Sequence, residues 1–171
     1  MKKLVIITHP NINESVINKA WKTMLYQHTD DFRIHSLYDT YPDLTYDIKK
    51  EQELLETHDE IIFQFPIHWF STPYALKKYV DEVFTYGWAF GPDGDRLKGK
   101  KIGFAVSTGG PEESYNSPTG VSVKNLLNDF QLTFEYCGCE ITSIHIFYGA
   151  MFKYPNTQLQ KNVQAYLKTF A

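Results

Sequence analysis

Five apolar runs punctuate the chain, at residues 4–8, 32–37, 61–65, 102–107 and 141–147. Four of them are nearly continuous in apolar residues, the pattern of strands covered on both faces, as in a parallel sheet. The second, Phe32-Arg33-Ile34-His35, alternates and suits an edge strand. Between the runs the period changes. Ile17, Ala20, Trp21, Met24 and Leu25 share one helical face; so do Leu76, Tyr79, Val80 and Val83. Val123, Leu126, Leu127, Phe130 and Phe134 form a third stripe, and Leu159, Val163, Tyr166, Leu167 and Phe170 a fourth. A weaker, acid-rich helix is expected over residues 48–57, after a loop holding Tyr38, Tyr41, Pro42 and Tyr46.

Five strand–helix units in 171 residues make one domain, a three-layer α/β sandwich around a five-stranded parallel sheet. Among such folds the flavodoxin-like strand order 2-1-3-4-5 is expected. Its ligand site lies where the order reverses, outside the carboxyl ends of the first and third strands. The loops after strands one, three and four should therefore carry the chemistry.

The first of these loops contains His9 and Pro10 and then Ser15-Val16-Ile17-Asn18. Ser15 is a good N-cap, and a helix starting there would offer free N–H groups and a positive dipole end to a phosphate. The third-strand loop is Pro66-Ile67-His68-Trp69-Phe70-Ser71-Thr72-Pro73. It is braced by two prolines and rich in aromatics, so a flat ring could lie on it against Trp69 and the N–H groups of Ile67, His68 and Trp69. After the fourth strand come Ser107-Thr108-Gly109-Gly110 and Tyr115. Two glycines let the backbone approach a ligand and present N–H groups to the negative charge of a reduced ring edge. Each loop alone reads equally as a capped helix, a hydrophobic plug or a plain turn. Together, at the places the fold dictates, they supply a phosphate site, an aromatic wall and a polar ring clamp, a set suited to flavin mononucleotide (FMN).

Composition narrows the alternatives. The net charge is −3 and no Lys/Arg block exceeds Lys98-Gly99-Lys100-Lys101, so the electrostatic footprint of a nucleic-acid binder is missing. Neither a glycine-rich dinucleotide fingerprint nor a Walker lysine is present. Cys137 and Cys139, the only cysteines, offer too few ligands for zinc and are tight for a disulfide, so no metal site is expected. No run reaches the ~20 apolar residues of a membrane span, and the N-terminus is too short for a signal peptide. The chain reads as cytoplasmic and complete. Aromatics at 16% are in surplus, and Tyr86-Gly87-Trp88-Ala89-Phe90-Gly91 concentrates them. That segment is either a small satellite core or a subunit interface.

These residues resemble the NAD(P)H:quinone oxidoreductase (DT-diaphorase-like) family, and within it the short bacterial members that include quinone reductases ancillary to potassium-efflux systems. The resemblance spans His9 to about Tyr148 and rests on His9-Pro10 with Ser15 to Asn18, Glu51-Gln52 before Phe63-Gln64, the Pro66–Pro73 loop, Tyr86 to Gly91, and Thr108-Gly109-Gly110 with Tyr115. It implies a noncovalent flavin, a homodimer with a shared site, and two-electron, ping-pong hydride transfer from NAD(P)H through the flavin to a quinone or similar flat acceptor. By the same resemblance His9 and Ser15 to Asn18 hold the phosphate side, Pro66 to Phe70 the ring, Ser107 to Gly110 its pyrimidine edge, and Tyr115 matches a proton-relay tyrosine. Tyr86, Trp88 and Phe90 would lie between subunits. Two departures stand out. Val121 occupies the place of the relay histidine, and Ile67-His68-Trp69 replaces Leu-Tyr-Trp. The long C-terminal extension of the animal enzymes is missing, which favours FMN over FAD. The alternative role is a flavin-binding regulatory subunit docked on a potassium-efflux transporter. A one-electron carrier fits less well, because such carriers tend to be strongly acidic.

Overall fold

A computed structural model describes residues 3–118 and 120–170. The chain runs β1 (Lys3–Ile7), α1 (Ile17–Leu25), β2 (Phe32–Ser36), α2 (Leu37–Thr40), α3 (Ile48–Glu56), β3 (Glu60–Pro66) and α4 (Tyr74–Val83). It continues with β4 (Lys101–Ser107), α5 (Glu113–Asn116), α6 (Val123–Leu126), α7 (Asn128–Tyr136), β5 (Glu140–Phe147) and α8 (Asn156–Thr169). All strand pairs are parallel and the order is β2-β1-β3-β4-β5, as expected from the sequence. No helix among the described residues is long and apolar enough to cross a membrane.

Alternation along the central strands splits the core in two. Leu4, Ile6, Ile61, Phe63, Phe65, Phe104 and Val106 pack against Leu55, Leu76, Tyr79 and Phe134 of α3, α4 and α7. Val5, Ile7, Ile62 and Ala105 face Ile17, Trp21 and Leu25 of α1 and Tyr166 of α8. Each fully buried aromatic or aliphatic side chain contributes ~1.5–3 kcal/mol of burial free energy. Gly103 is required here: a Cβ on it would sit 2.6 Å from the Phe170 ring.

Three details depart from the sequence pattern. Leu37 opens the short helix α2 instead of closing β2. The long stripe from Val123 to Phe134 is broken at Leu127 (φ −91°, ψ −1°), and the Gln131 side chain donates to the Lys124 carbonyl at 3.0 Å across the break. β5 carries a bulge at Thr142, whose hydroxyl donates to the Ile102 carbonyl at 3.2 Å. Both cysteines are free and buried, and burial pushes the Cys139 thiol up to about 12, so it stays protonated at neutral pH.

Glu51 and Gln52 stitch the α3–α4 layer together. The Glu51 carboxylate, 2% exposed, accepts from the hydroxyls of Tyr41 at 2.8 Å and Tyr79 at 2.9 Å. His35 Nε2 lies 3.0 Å from the same carboxylate. Gln52 donates to the Val83 carbonyl at 2.8 Å and to Thr85 at 3.0 Å, fixing the end of α4. Burial pushes the Glu51 carboxyl up, but His35 and the two tyrosines outweigh it and hold the group below the usual carboxylate range. Glu51 therefore stabilises the fold fully above the ordinary glutamate value of ~4.3, and this contribution is lost as pH falls through its lower folded-state value. Glu51→Leu strands the buried Tyr79 hydroxyl and the half-buried Tyr41 hydroxyl and is expected to cost ~3 kcal/mol by denaturant unfolding at neutral pH. It should also flatten the acid limb of the stability profile. An unchanged midpoint would show that the network is not a clamp.

Candidate functional site

The carboxyl ends of β1, β3 and β4 converge on a half-open cavity of about 290 Å³. That is the small end of the ~300–1,000 Å³ typical of ligand sites. Its walls bring together His9, Ser15, Val16, Ile17, Asn18, Pro66, Ile67, His68, Ser107, Thr108 and Gly109, with Glu14 at the rim. A larger, flatter groove of about 1000 Å³ between α1 and α8 shares only Glu14, Ser15 and Val16 with it and gathers no comparable set of donors.

The first wall is the turn leading into α1. The helix proper begins at Ile17, later than the sequence suggests, but Val16 already has helical angles (φ −76°, ψ −49°). Ser15 still performs the capping function, its Oγ accepting from the Asn18 N–H at 3.1 Å. The Asn18 N–H is thus engaged, whereas those of Val16 and Ile17 have no partner among the described residues. His9 Nδ1 accepts from the Asn11 N–H at 3.1 Å, which leaves the proton of the neutral ring on Nε2. Burial, and then the nearby His68, hold the His9 pKa below the ordinary imidazole value. The donors here are neutral groups at the positive end of a helix dipole.

The Pro66–Pro73 loop differs from expectation. The N–H groups of Ile67 and His68, expected to be free, are paired, to the Ser107 carbonyl at 2.8 Å and the Ser71 carbonyl at 2.9 Å. Ser71 N–H returns a bond to His68 at 3.0 Å, closing a two-residue hairpin. Trp69 (φ 47°) and Phe70 (φ 62°) at its tip are both left-handed, the geometry of a type I′ turn that normally demands Asn-Gly. Their rings stand in solvent, Trp69 94% exposed, outside the cavity walls.

The third wall is tied down by the loop after β5, which sequence reasoning left out. Gly149 N–H bonds the Gly110 carbonyl at 2.7 Å, Ala150 N–H the Thr108 carbonyl at 2.8 Å, and Met151 N–H the Gly109 carbonyl at 3.3 Å. Ala150 and Met151 line the cavity as a result, and a Cβ on Gly109 would lie 2.8 Å from Met151 Sδ. The usable signal was topological: β5 neighbours β4, so their following loops must touch. Gly109 and Gly110 keep N–H groups with no partner among the described residues. Gly110 is next in the chain after the lining residue Gly109, and the Tyr115 ring packs beside it and against Tyr148, with centroids 5.8 Å apart.

The Tyr86–Phe90 segment divides. Trp88, expected between subunits, belongs to the chain's own core: it is 9% exposed, packs on Phe84, and its Nε1 donates to Glu56 at 2.6 Å. The reason is the buried pocket above the end of α3, which accommodates the indole and its N–H. Tyr86 stays exposed, with Phe90 beside it at 5.8 Å and the Tyr136 ring 6.1 Å beyond Phe90. Because Trp88 bonds to the C-terminal turn of α3, this face lies at the amino ends of the strands, opposite the cavity.

The arrangement fits a ligand with an anionic end at Val16 and Ile17 and a carbonyl-bearing edge at Gly109 and Gly110. Asn18 adds a buried acceptor, Oδ1, without a partner among the described residues. Comparison with known proteins agrees with this architecture. Residues 1–170 match the family described as having a flavodoxin-like fold, and the chain belongs to that family. It is 40% identical over 153 residues to the uncharacterized NAD(P)H oxidoreductase YrkL of Bacillus subtilis, covering 88% of this chain and 87% of that one. It is 39% identical over 137 residues to the glutathione-regulated potassium-efflux system ancillary protein KefF of Enterobacter, covering 80% and 77%. Among solved structures, general stress protein 14 of Treponema denticola, in complex with FMN, superposes with a TM-score of 0.92 at 40% identity, over 99% of this chain and 98% of that one.

The strain at the aromatic turn is open to test. Phe70→Gly relieves about 1 kcal/mol of left-handed backbone cost and should raise Tm by roughly 2–4 °C. A lower Tm would mean that the Phe70 ring stabilises the fold.

Proposed function

We propose that this chain binds FMN noncovalently and acts in the cytoplasm as an NAD(P)H-dependent two-electron oxidoreductase whose acceptor is a quinone or a similar flat molecule. The carrying observation is the convergence, in one cavity at the β1–β3 switch point, of unpaired helix N–H groups on Val16 and Ile17 with the unpaired Gly109 N–H, and with that of Gly110 next in the chain. The FMN complex of a 40% identical protein and the oxidoreductase name of YrkL support it.

Ser15, Val16, Ile17 and the Nε2–H of His9 would hold the phosphate. Asn18, held against Ser107 by its Nδ2, would support this wall from behind. Pro66, Ile67 and His68 would border the ring, and Ser107 to Gly110 its pyrimidine edge. When bound, the flavin supplies the redox chemistry, accepting hydride from NAD(P)H and passing it on. NAD(P)H and the acceptor would use the same face in turn, with Trp69 and Phe70 as an adjacent stacking wall. Tyr115 is the candidate donor of a hydrogen bond or proton at the pyrimidine edge, and exposed Val121 leaves it without a histidine relay. Tyr86 and Phe90, opposite the cavity of their own chain, would reach a site only across a homodimer.

A second reading rests on the KefF relative: the same domain would dock on a potassium-efflux transporter, with reductase turnover subordinate. Steady-state oxidation of NADH or NADPH with menadione, after loading with FMN, separates the readings. The reductase is expected to turn over repeatedly without a partner protein, and Tyr115→Phe to lower kcat by up to ~10²-fold at unchanged flavin content. Absence of turnover in the flavin-loaded protein would rule out the reductase.

A further inference from the structure

On the α1/α8 side of β3 the side chains read Ile62, Gln64, Pro66, placing a single carboxamide in an otherwise apolar face. Gln64 is fully buried, as is Tyr166 of α8. Neither lines the cavity. Yet they join it through a continuous chain of hydrogen bonds. The Tyr166 hydroxyl donates to Gln64 Oε1 at 3.3 Å, and Gln64 Nε2 donates to the main-chain carbonyl of Asn18 at 3.1 Å. Asn18 Nδ2 then donates to Ser107 Oγ at 2.9 Å. Asn18 is 1% exposed and lines the cavity, and its remaining Oδ1 is a buried acceptor without a partner among the described residues.

We propose that Gln64, backed by Tyr166, is a positioning residue of the flavin site: it fixes the first turn of α1 so that Asn18 is held against Ser107 and the N–H groups of Val16 and Ile17 keep their aim at the cavity. The proposal rests on the flavin reading above. A leucine would satisfy the packing of this sheet face as well as glutamine does, but it would release the Asn18 carbonyl and the Tyr166 hydroxyl. The carboxamide is therefore retained against the desolvation cost of burying it, and the bonds it makes lead to the cavity. Because Val16 and Ile17 belong to the same turn as Asn18, one bond from Gln64 sets the aim of several ligand groups together.

The test is a double-mutant cycle on flavin affinity, read by quenching of FMN fluorescence on titration with apoprotein. Gln64→Leu is expected to weaken FMN binding roughly 3- to 10-fold, the worth of one net hydrogen bond. Tyr166→Phe, which removes one oxygen from a preserved ring, should weaken it by about half that factor on the same grounds. If Tyr166 acts through Gln64, the pair Gln64→Leu with Tyr166→Phe binds FMN no more weakly than Gln64→Leu alone. The thermal midpoint of each apoprotein is measured alongside, and Gln64→Met replaces Gln64→Leu in the cycle if the latter fails to fold. Unchanged affinity in the single variants, or losses that multiply in the double variant, would overturn the proposal. Failure of the wild-type protein to bind FMN would instead remove the flavin reading itself.

Discussion

β1 is hydrogen-bonded on both sides, to β2 and to β3, and the chain leaves β1 and β3 toward opposite faces of the sheet. α1 packs on one face and α4 on the other, so no crossover covers the gap between their starting points. The cavity is the outcome of that divergence. Every donor later found in it, from Ser15 to Gly109, takes its position from the pairing of three or four strands whose residues are almost wholly buried.

Within that frame the site relies on neutral donors held in place by other hydrogen bonds. No lysine or arginine lines the cavity among the described residues. The α1 dipole, two free N–H groups, a hydroxyl and a neutral imidazole take the place of formal charge. Fixed dipoles need no reorganisation when a ligand's charge changes, which suits redox chemistry on a bound ring. The same economy explains the dense stitching between the β4 and β5 loops: three backbone bonds hold Gly109 and Gly110 so that their own N–H groups stay open.

Strand order, layer assignment and most of the cavity wall were legible in the sequence, because buried parallel strands and helical stripes leave periodic traces. What escaped had no periodicity. Trp88 looked like an interface residue until the end of α3 was seen to receive its indole. Ala150 and Met151 lie in a stretch without distinguishing composition and enter the site only through the adjacency of β5 to β4. The pairing of the Ile67 and His68 N–H groups follows from a type I′ hairpin, which Trp69-Phe70 is the wrong dipeptide to announce. Gln64 was visible as a polar residue in an apolar strand, but its partners on α1 and α8 lie far away in sequence.

The exposed aromatics on a left-handed turn and the buried carboxamide bonded to the α1 turn are both features that packing alone does not call for. A planar, anionic cofactor in the β1–β3 crevice would account for both. The most direct test is the visible spectrum of the protein as purified and after incubation with FMN and gel filtration. The expected result is one tightly held FMN per chain, bleached on anaerobic addition of NADH or NADPH. A protein that emerges colourless and takes up no added FMN would contradict the account.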